Sequence, residues 1–478
     1  MSDEKLELYD NLLERVRVEA ENNLAFYGRT MWPVVEPRAM FAPNWHIDCI
    51  ADHLMAVTNG DLRNLIINIP PRHMKSLLAC VFWPTWSWLK LPTSRWIFAS
   101  YAEQLTKRDS LKCRRIIESD LYQDLFRPSW RLQSDQNEKM RFENTETGYR
   151  LATSVGGAAT GEGGDFLVVD DPHKANQVHS TVQRERVIDW YREEFSSRGN
   201  DPKTVRKVII MQRLHEKDLA GSLIEDGDWA HLMIPARYEP KRSFATNFWK
   251  DPRTEDGQLL WPDRMGETEL AALAKEMGSM AAQGQLQQDP RPGDGGMFKR
   301  QWWKMYKELP APGQWRRLVQ FTDGAQEPGI SNDYSVTATW LETDAGYYLL
   351  DLWRAKVEMP QLESAAIANA SKHNPAAIVI ENKASGVGLR QTLMQRTSLP
   401  IIKFEPGQNS KVVRAAAATP TVEAGNCFLP EAAPWVEDFI QEHEKFPLGS
   451  HDDQVDTTSM MVEYFKKHPV PTIRVRRA

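Results

Sequence analysis

Cysteine is scarce. The 478 residues contain four, Cys49, Cys80, Cys113 and Cys427, far apart and in no CxxC or Cys/His pattern, which argues against a disulfide scaffold or structural zinc and fits a reducing cytoplasm. Long apolar runs are missing too: none approaches the ~20 residues a membrane-spanning helix needs. The opening MSDEKLELYDNLLERV is charged and amphipathic, without the apolar core of a signal peptide. No charge of one sign dominates, because 59 Lys plus Arg face 65 Asp plus Glu for a net charge of −6. A whole-surface polycation is thereby excluded, and contact with nucleic acid has to come from local basic patches. There is no internal repeat. The composition that remains is globular, 41% hydrophobic, 26% charged and 10% aromatic, in a chain too long for one ordinary domain and ample for two. The expectation is a soluble, intracellular, multidomain protein.

Residues 1–44 read as a helical N-terminal segment (Leu6, Leu12, Leu13 and Val16 at helical spacing) followed by a Pro-punctuated stretch around Pro33 and Pro37. From 45 to 235, short apolar runs alternate with helical patterns: a helix at 45–58, strands at 65–69, 95–100, 166–171 and 205–211, an apolar helix at 76–88 interrupted by Pro84, and a polar helix at 102–119. That alternation predicts a parallel sheet with helices on its faces. Residues 236–312 lose periodicity and read as linker and auxiliary structure. A second α/β unit spans 313–465: three strands of an antiparallel meander (317–325, 334–342, 346–356), helix 360–373, strand 376–383, helix 387–396, strand 400–406, and helices 434–443 and 452–467. Three strands followed by alternating helix and strand is the order of a ribonuclease H-like mixed sheet. A basic tail, 466–478, closes the chain with Lys466, Lys467, Arg474, Arg476 and Arg477.

Strand 65–69 runs into Pro70-Pro71-Arg72-His73-Met74-Lys75-Ser76 and then an apolar helix. At such a junction free helix N–H groups face a phosphate, Lys75 can reach the β- and γ-phosphates and Ser76 can bind Mg²⁺. The full pattern GxxxxGK[ST] fails, with Ile69 and Met74 where its glycines would stand, and a helix N-cap with a solvated lysine explains Lys-Ser alone. Asp170 and Asp171 end another buried strand, where one acid can hold Mg²⁺ through water while the other activates a water; an Asp-Asp-Pro turn is the structural alternative. Gln212 and Arg213 end a third strand, where a γ-phosphate sensor or merely a solvated strand end fits.

In the second unit Asp323 and Glu381 end apolar strands, and Asp452, Asp453 and Asp456 open the last helix, with Asp456 sharing a face with either of the others. Buried acids are costly unless paired or metal-bound. Several converging carboxylates therefore point to divalent cations and phosphodiester cleavage, against the alternative that Asp452 and Asp453 only cap a helix.

In their order, PPRHMKS, FLVVDDPHK, MQRLHEKDLAG, FTDGA…SNDYSV, IVIENKASGVG and HDDQVD resemble the large terminase subunit of tailed double-stranded DNA phages or prophages, over roughly 45–465. The resemblance implies an N-terminal P-loop ATPase and a C-terminal ribonuclease H-like nuclease, an α/β chain throughout. PPRHMKS is then a degenerate Walker A-like motif in which Pro71 to Ser76 bind ATP. Asp170 is the Walker B acid, Asp171 the catalytic carboxylate, and MQRLHEKDLAG, with Gln212 and Arg213, the coupling segment. Asp323, Glu381 and Asp453 become nuclease acids, with Asp452, Asp453 and Asp456 all candidate ligands for Mg²⁺ or Mn²⁺. The implied activity is ATP-driven translocation of double-stranded DNA into procapsids with metal-dependent cutting of concatemers. A ring on the portal, a small terminase subunit as partner, no membrane and action in the host cytoplasm follow. Arg72, Arg108 and Arg213 are candidates for an arginine finger supplied to a neighbour. Trp45 and His46 resemble the adenine-contacting segment upstream of Walker A, although an ordinary amphipathic helix explains them as well. Two other readings compete: another ATP-driven DNA enzyme such as a helicase-nuclease, and a non-enzymatic assembly factor with a decayed ATP site. A lone transposase-like nuclease leaves the first half without a task.

Overall fold

Successive residues in a buried strand point to opposite faces, so a strand covered on both sides must be apolar throughout. The computed structural model describes residues 3–133, 140–157, 161–290, 296–324, 334–382, 384–407 and 409–470, and its central strands follow that rule. In β1 (Asn64–Asn68), Leu65 and Ile67 enter one core while Ile66 enters another. The same split divides Trp96 and Phe98 from Ile97 and Ala99 in β2 (Trp96–Ser100). With β3 (Arg141–Glu143), β4 (Tyr149–Ser154), β5 (Phe166–Asp170), β6 (Arg206–Met211) and β7 (Ala230–Met233) they form a sheet in the order β3-β4-β2-β5-β6-β1-β7. All neighbours are parallel except the edge pair β3 and β4. Helices Leu24–Val35, Trp45–Asn59 and Glu103–Ile117 cover one face, and Thr181–Asp189 with its continuation and Leu219–Asp226 cover the other. Because β5, β6 and β1 are consecutive in the sheet and aligned in register, Asp170, Met211 and Asn68 finish at one edge.

Three local expectations change. Residues 75–87 remain helical through Pro84, with a π-helical turn over Leu78–Phe82. Proline has no N–H for the carbonyl four residues earlier, and here that carbonyl, of Cys80, accepts from Arg150 Nη2 at 3.2 Å and Cys113 Sγ at 3.3 Å. Pro33 likewise lies inside helix Leu24–Val35 rather than in an irregular stretch. Part of the segment expected as linker belongs to the first unit: Phe244, Leu260 and Trp261 are buried in the core that holds β1. The chain divides into Met1–Ala274 with Met280–Arg291, and Lys275–Ser279 with Pro292–Ala478.

The second unit is built on β8 (Lys304–Tyr306), β9 (Trp315–Asp323), β10 (Ser335–Thr343), β11 (Tyr347–Ala355), β12 (Ala377–Glu381), β13 (Ile401–Phe404) and β14 (Cys427–Pro430), in the order β13-β12-β9-β10-β11-β14-β8. The meander β9-β10-β11 is antiparallel, and β12, β13, β14 and β8 join parallel to their neighbours. This is the expected mixed sheet, with a helix at Lys411–Glu423 and strands β8 and β14 that the sequence reading left out. Helices Met359–His373 and Ala384–Arg396 pack on one face, and Lys411–Glu423, Val436–Lys445 and Asp453–Lys467 on the other. Arg474, Arg476 and Arg477 lie outside the described residues. Among the described residues no helix is long and apolar enough to cross a membrane.

Candidate functional site

The chain leaves β1 at Asn68 and re-enters helix at Lys75, and the intervening loop takes a backbone that glycine would adopt freely. Arg72 and Met74 are left-handed, with φ of 69° and 63°. Met74 occupies one of the two glycine positions of the full phosphate-loop pattern, where a side chain costs roughly 1–2 kcal/mol. Met74 is 8% exposed within the first unit's core, so packing offsets the strain. Ile69, at the other glycine position, is fully buried.

Lys75 is not a solvated helix residue. It is 6% exposed, its Nζ donates to Asp171 Oδ2, and it lies 3.8 Å from Asp170 Oδ1. Burial opposes its charge, but Asp171 and Asp170 outweigh burial and raise its pKa. Burial, reinforced by Asp171 and Asp109, raises Asp170 to about 7 against the opposing pull of Lys75 and a hydrogen bond with Ser76. Asp171 follows β5 with a left-handed φ of 45°. Its amide donates to the Ile210 carbonyl at 2.9 Å, and its carbonyl accepts from the Tyr101 amide at 3.1 Å. Left-handed non-glycine residues carry strain that gathers at functional sites, and here the loop and the acid both carry it around one ammonium group.

The other expected nucleotide residues divide. His73 is buried, with Nδ1 2.8 Å from the Pro71 carbonyl and its ring against Trp261, and burial lowers its pKa to about 4. His46 packs on Trp261 with centroids 4.8 Å apart, and Trp45 stacks on Phe244 and Trp249, so this pair forms core. Pro71 is half-buried and Arg72 exposed on the loop. Gln212 has a buried Oε1 with no hydrogen bond among the described residues. Arg213 is turned to Asp218, with Nε 3.0 Å from Oδ1, while Nη2 donates to the carbonyls of His215 and Glu216 at 3.3 and 3.0 Å. Arg108 pairs with Asp109 at 2.9 Å. The sequence reading passed over Cys80 and Asp109, whose ligand-type atoms lie with one of Asp170 within 4.8 Å of one another.

In the second unit β9 and β12 run parallel with Thr322 opposite Ile380. Their next residues, Asp323 and Glu381, therefore leave neighbouring strand ends, 6% and 3% exposed. Asp456 joins them from the first turn of helix Asp453–Lys467: Arg414 Nη2 lies 2.7 Å from Asp456 Oδ1 and 3.3 Å from Glu381 Oε1. Asp452 precedes the helix but makes no side-chain cap. It pairs instead with Lys411, whose Nζ is also 2.9 Å from Asp456 Oδ2. Asp453 turns elsewhere. Arg354 Nη2 lies 3.9 Å from Asp453 Oδ2 and 2.7 Å from Glu442 Oε2, and burial, reinforced by Glu442 and Asp452, pushes Asp453 up to about 6. The acid brought up to Glu381 is thus Asp456; the sequence carried Asp453 as a nuclease acid and left open which of the three aspartates meets a metal. Lys411, Arg414, Arg354 and Glu442 were missed; the first two ride on the helix that went unread.

The donor chemistry fits divalent cations in both places. Asp170 Oδ1 and Asp456 Oδ2 are buried, with no hydrogen bond among the described residues beyond the lysine ammonium beside each. Oxygen donors crowded in this way at one sheet edge suit Mg²⁺ or Mn²⁺.

Residues 323–465 match the family model described as the terminase RNase H-like domain. The fold is similar to that of the large terminase from a thermophilic bacteriophage, at 10% identity and a TM-score of 0.51 over 86% of this chain and 98% of that one. The HK97 bacteriophage large terminase aligns at 12% identity and a TM-score of 0.36, over 86% of this chain and 91% of that one. The large terminase nuclease from thermophilic phage G20c aligns at 15% identity and a TM-score of 0.26, over 34% of this chain and 94% of that one. No curated protein sequence matches the chain. The matched domain, and the fold shared with the first of these large terminases, bear out the resemblance to large terminase subunits read from the motifs.

Proposed function

We propose that this chain, which carries the terminase RNase H-like domain and has the fold of a phage large terminase, is a genome-packaging ATPase and endonuclease. The observation that carries the ATPase half is the single ammonium of Lys75 bridging Asp170 and Asp171 beneath a strained loop. With ATP in place Lys75 would transfer from the two carboxylates to the β- and γ-phosphates, releasing Asp171 to accept the proton of the attacking water. Ser76 and Asp170 would hold Mg²⁺, which supplies charge neutralisation of the phosphates. Pro71 to Met74 would line the phosphates, and Gln212 would turn its unpaired amide oxygen to the water. Arg213 is committed to Asp218 and Arg108 to Asp109, which leaves the exposed Arg72 as the candidate for insertion into a neighbouring subunit of a ring.

In the nuclease half, Asp323, Glu381 and Asp456 would hold Mg²⁺ or Mn²⁺, which would generate the hydroxide and stabilise the leaving oxygen of a scissile phosphate. Asp452 would be an outer ligand, and Asp453 an orienting neighbour. Double-stranded DNA, a small terminase subunit and a procapsid portal are the partners this role requires, in the host cytoplasm.

Steady-state ATP hydrolysis tests the first half. Lys75→Ala and Asp171→Asn are each expected to lower turnover by roughly 10²–10⁴-fold, the usual worth of a positioned acid–base or phosphate contact, with the circular dichroism spectrum unchanged. A wild type no faster than the two variants, alone and with procapsids and DNA present, would reject the motor.

A further inference from the structure

Lysine and arginine are unfavourable in the first turn of a helix, where the macrodipole is positive. Helix Lys411–Glu423 nevertheless opens with Lys411 and, one turn on, Arg414, behind a Ser410 cap that accepts from the Val413 amide at 3.4 Å. Three residues apart, the two cations share a face, and that face is turned to the acid cluster. Their situations differ. The Arg414 side chain is 6% exposed, and Nη1 is tied to the Asn409 carbonyl at 3.2 Å while Nη2 spans Asp456 and Glu381. The Lys411 side chain is 39% exposed and holds Asp452 and the Asp456 oxygen that Arg414 leaves over.

We propose that Lys411 is a built-in competitor of the divalent cation, a displaceable plug in the nuclease site, and that Arg414 is a positioning residue that keeps Glu381 and Asp456 together whether metal is bound or not. This rests on the nuclease reading of the acids. Ammonium and metal would share a ligand. Asp456 Oδ2 has the Lys411 ammonium 2.9 Å away, and an ammonium and a divalent cation at that oxygen repel. One must leave, and only Lys411 has a way out: its long flexible stem and readily hydrated head carry it into solvent, whereas Arg414 is enclosed. At low metal, therefore, Lys411 and Arg414 offset part of the acids' charge and the site is idle. A DNA backbone alongside would offer Lys411 phosphates in exchange for carboxylates, so DNA and metal would bind with positive coupling. The plug would thus tie the site's metal occupancy to the presence of its polyanionic substrate.

The test uses the full chain, without nucleotide, and MnCl₂ as the probe, read by calorimetric titration and by thermal unfolding in EDTA. Lys411→Ala is expected to tighten Mn²⁺ binding by about 10-fold, a change of ~1.4 kcal/mol, and to lower the melting temperature in EDTA, where the acids lose their counter-charge, while Mn²⁺ restores it. A short DNA duplex is expected to tighten Mn²⁺ binding to the wild type and to have much less effect on Lys411→Ala. Arg414→Lys, which keeps the charge and shortens the fork, is expected to weaken Mn²⁺ binding, the opposite direction. Asp456→Asn separates the two levels of the argument. If Asp456→Asn removes a Mn²⁺ site that Lys411→Ala leaves at wild-type strength or weaker, the plug is wrong and the nuclease site stands. If Asp456→Asn binds Mn²⁺ as the wild type does, or neither binds it, the acid cluster is no metal site and both readings fall.

Discussion

His443 has no exposed surface. Its Nδ1 is 2.7 Å from the Phe439 carbonyl and its Nε2 is 3.0 Å from the Thr458 hydroxyl, and the ring lies among Phe298, Trp303 and Phe439. A neutral ring satisfies both contacts, donating through one nitrogen and accepting through the other. Burial lowers its pKa to about 3, whereas in the unfolded chain it titrates near 6.5. Below pH 6.5 the unfolded state therefore binds more protons than the folded one. Stability from this group is present above that pH and is lost progressively as pH falls toward the folded value. At pH 5 the loss is about 2 kcal/mol. In urea titrations the second unit's midpoint is expected to drop between pH 7 and pH 5, and His443→Gln to show a smaller drop even from a lower starting stability. An identical drop in the variant would assign the acid sensitivity to other groups. At this scale the sequence was most legible where a charged residue interrupts an apolar run: Asp170, Asp323 and Glu381 each end a buried strand. Asp453 and Asp456 could not be ranked, because helical spacing puts both near the same face and only the placement of Arg354 and Arg414 separates them.

Asp218 does at the level of an element what a glycine or proline does at a turn. It caps helix Leu219–Asp226 through the Gly221 amide at 2.8 Å, accepts from the Leu214 amide at 2.9 Å, and holds the Arg213 guanidinium. The end of β6, the loop after it and the following helix thus share one carboxylate, fully buried. The first residue of that helix also donates its amide to His173 Nε2 at 2.8 Å, two positions beyond Asp171. Removing one partner of a buried charge pair costs about 3–5 kcal/mol, so Asp218→Ala is expected to lower the first unit's stability by that amount in urea unfolding. Asp218→Asn, which keeps the cap, is expected to lose less. A cost under about 1 kcal/mol for the alanine variant, the worth of an ordinary hydrogen bond, would mean that Arg213 finds another partner. The strand that ends here was readable from its run of β-branched residues, but the bonding of Arg213 was not, since sequence does not say which way a long side chain turns. Elements without an apolar rhythm were also lost. Helix Lys411–Glu423 contains Pro420 and a run of alanines, and β4 buries Arg150, with its guanidinium 4.1 Å from the Phe98 ring, where an apolar residue was to be expected.

Across the whole chain, each hydrophobic core is drawn from one side of the division. Among the described residues, the two cores of the first unit end at Trp261 and the two of the second begin at Phe298. Apolar burial is the main favourable term in folding, so a unit that keeps its cores intact should keep its cooperativity. Residues 292–478, roughly 190 residues, also exceed the size below which domains need disulfides or metals to fold. Expressed alone, this segment is expected to unfold in urea in one transition and to bind Mn²⁺ with the affinity of the full chain, since Asp323, Glu381, Lys411, Arg414, Asp452 and Asp456 all lie within it. The excised piece lacks Lys275–Ser279, whose Ser279 amide donates to Glu423 Oε2 at 2.8 Å; losing that exposed hydrogen bond should itself cost about 1 kcal/mol. Should the segment instead melt without cooperativity, or bind Mn²⁺ only when residues 1–291 are supplied in trans, the acid cluster would depend on the first unit for its shape, and the proposed cutting would be conditional on it even in the absence of nucleotide.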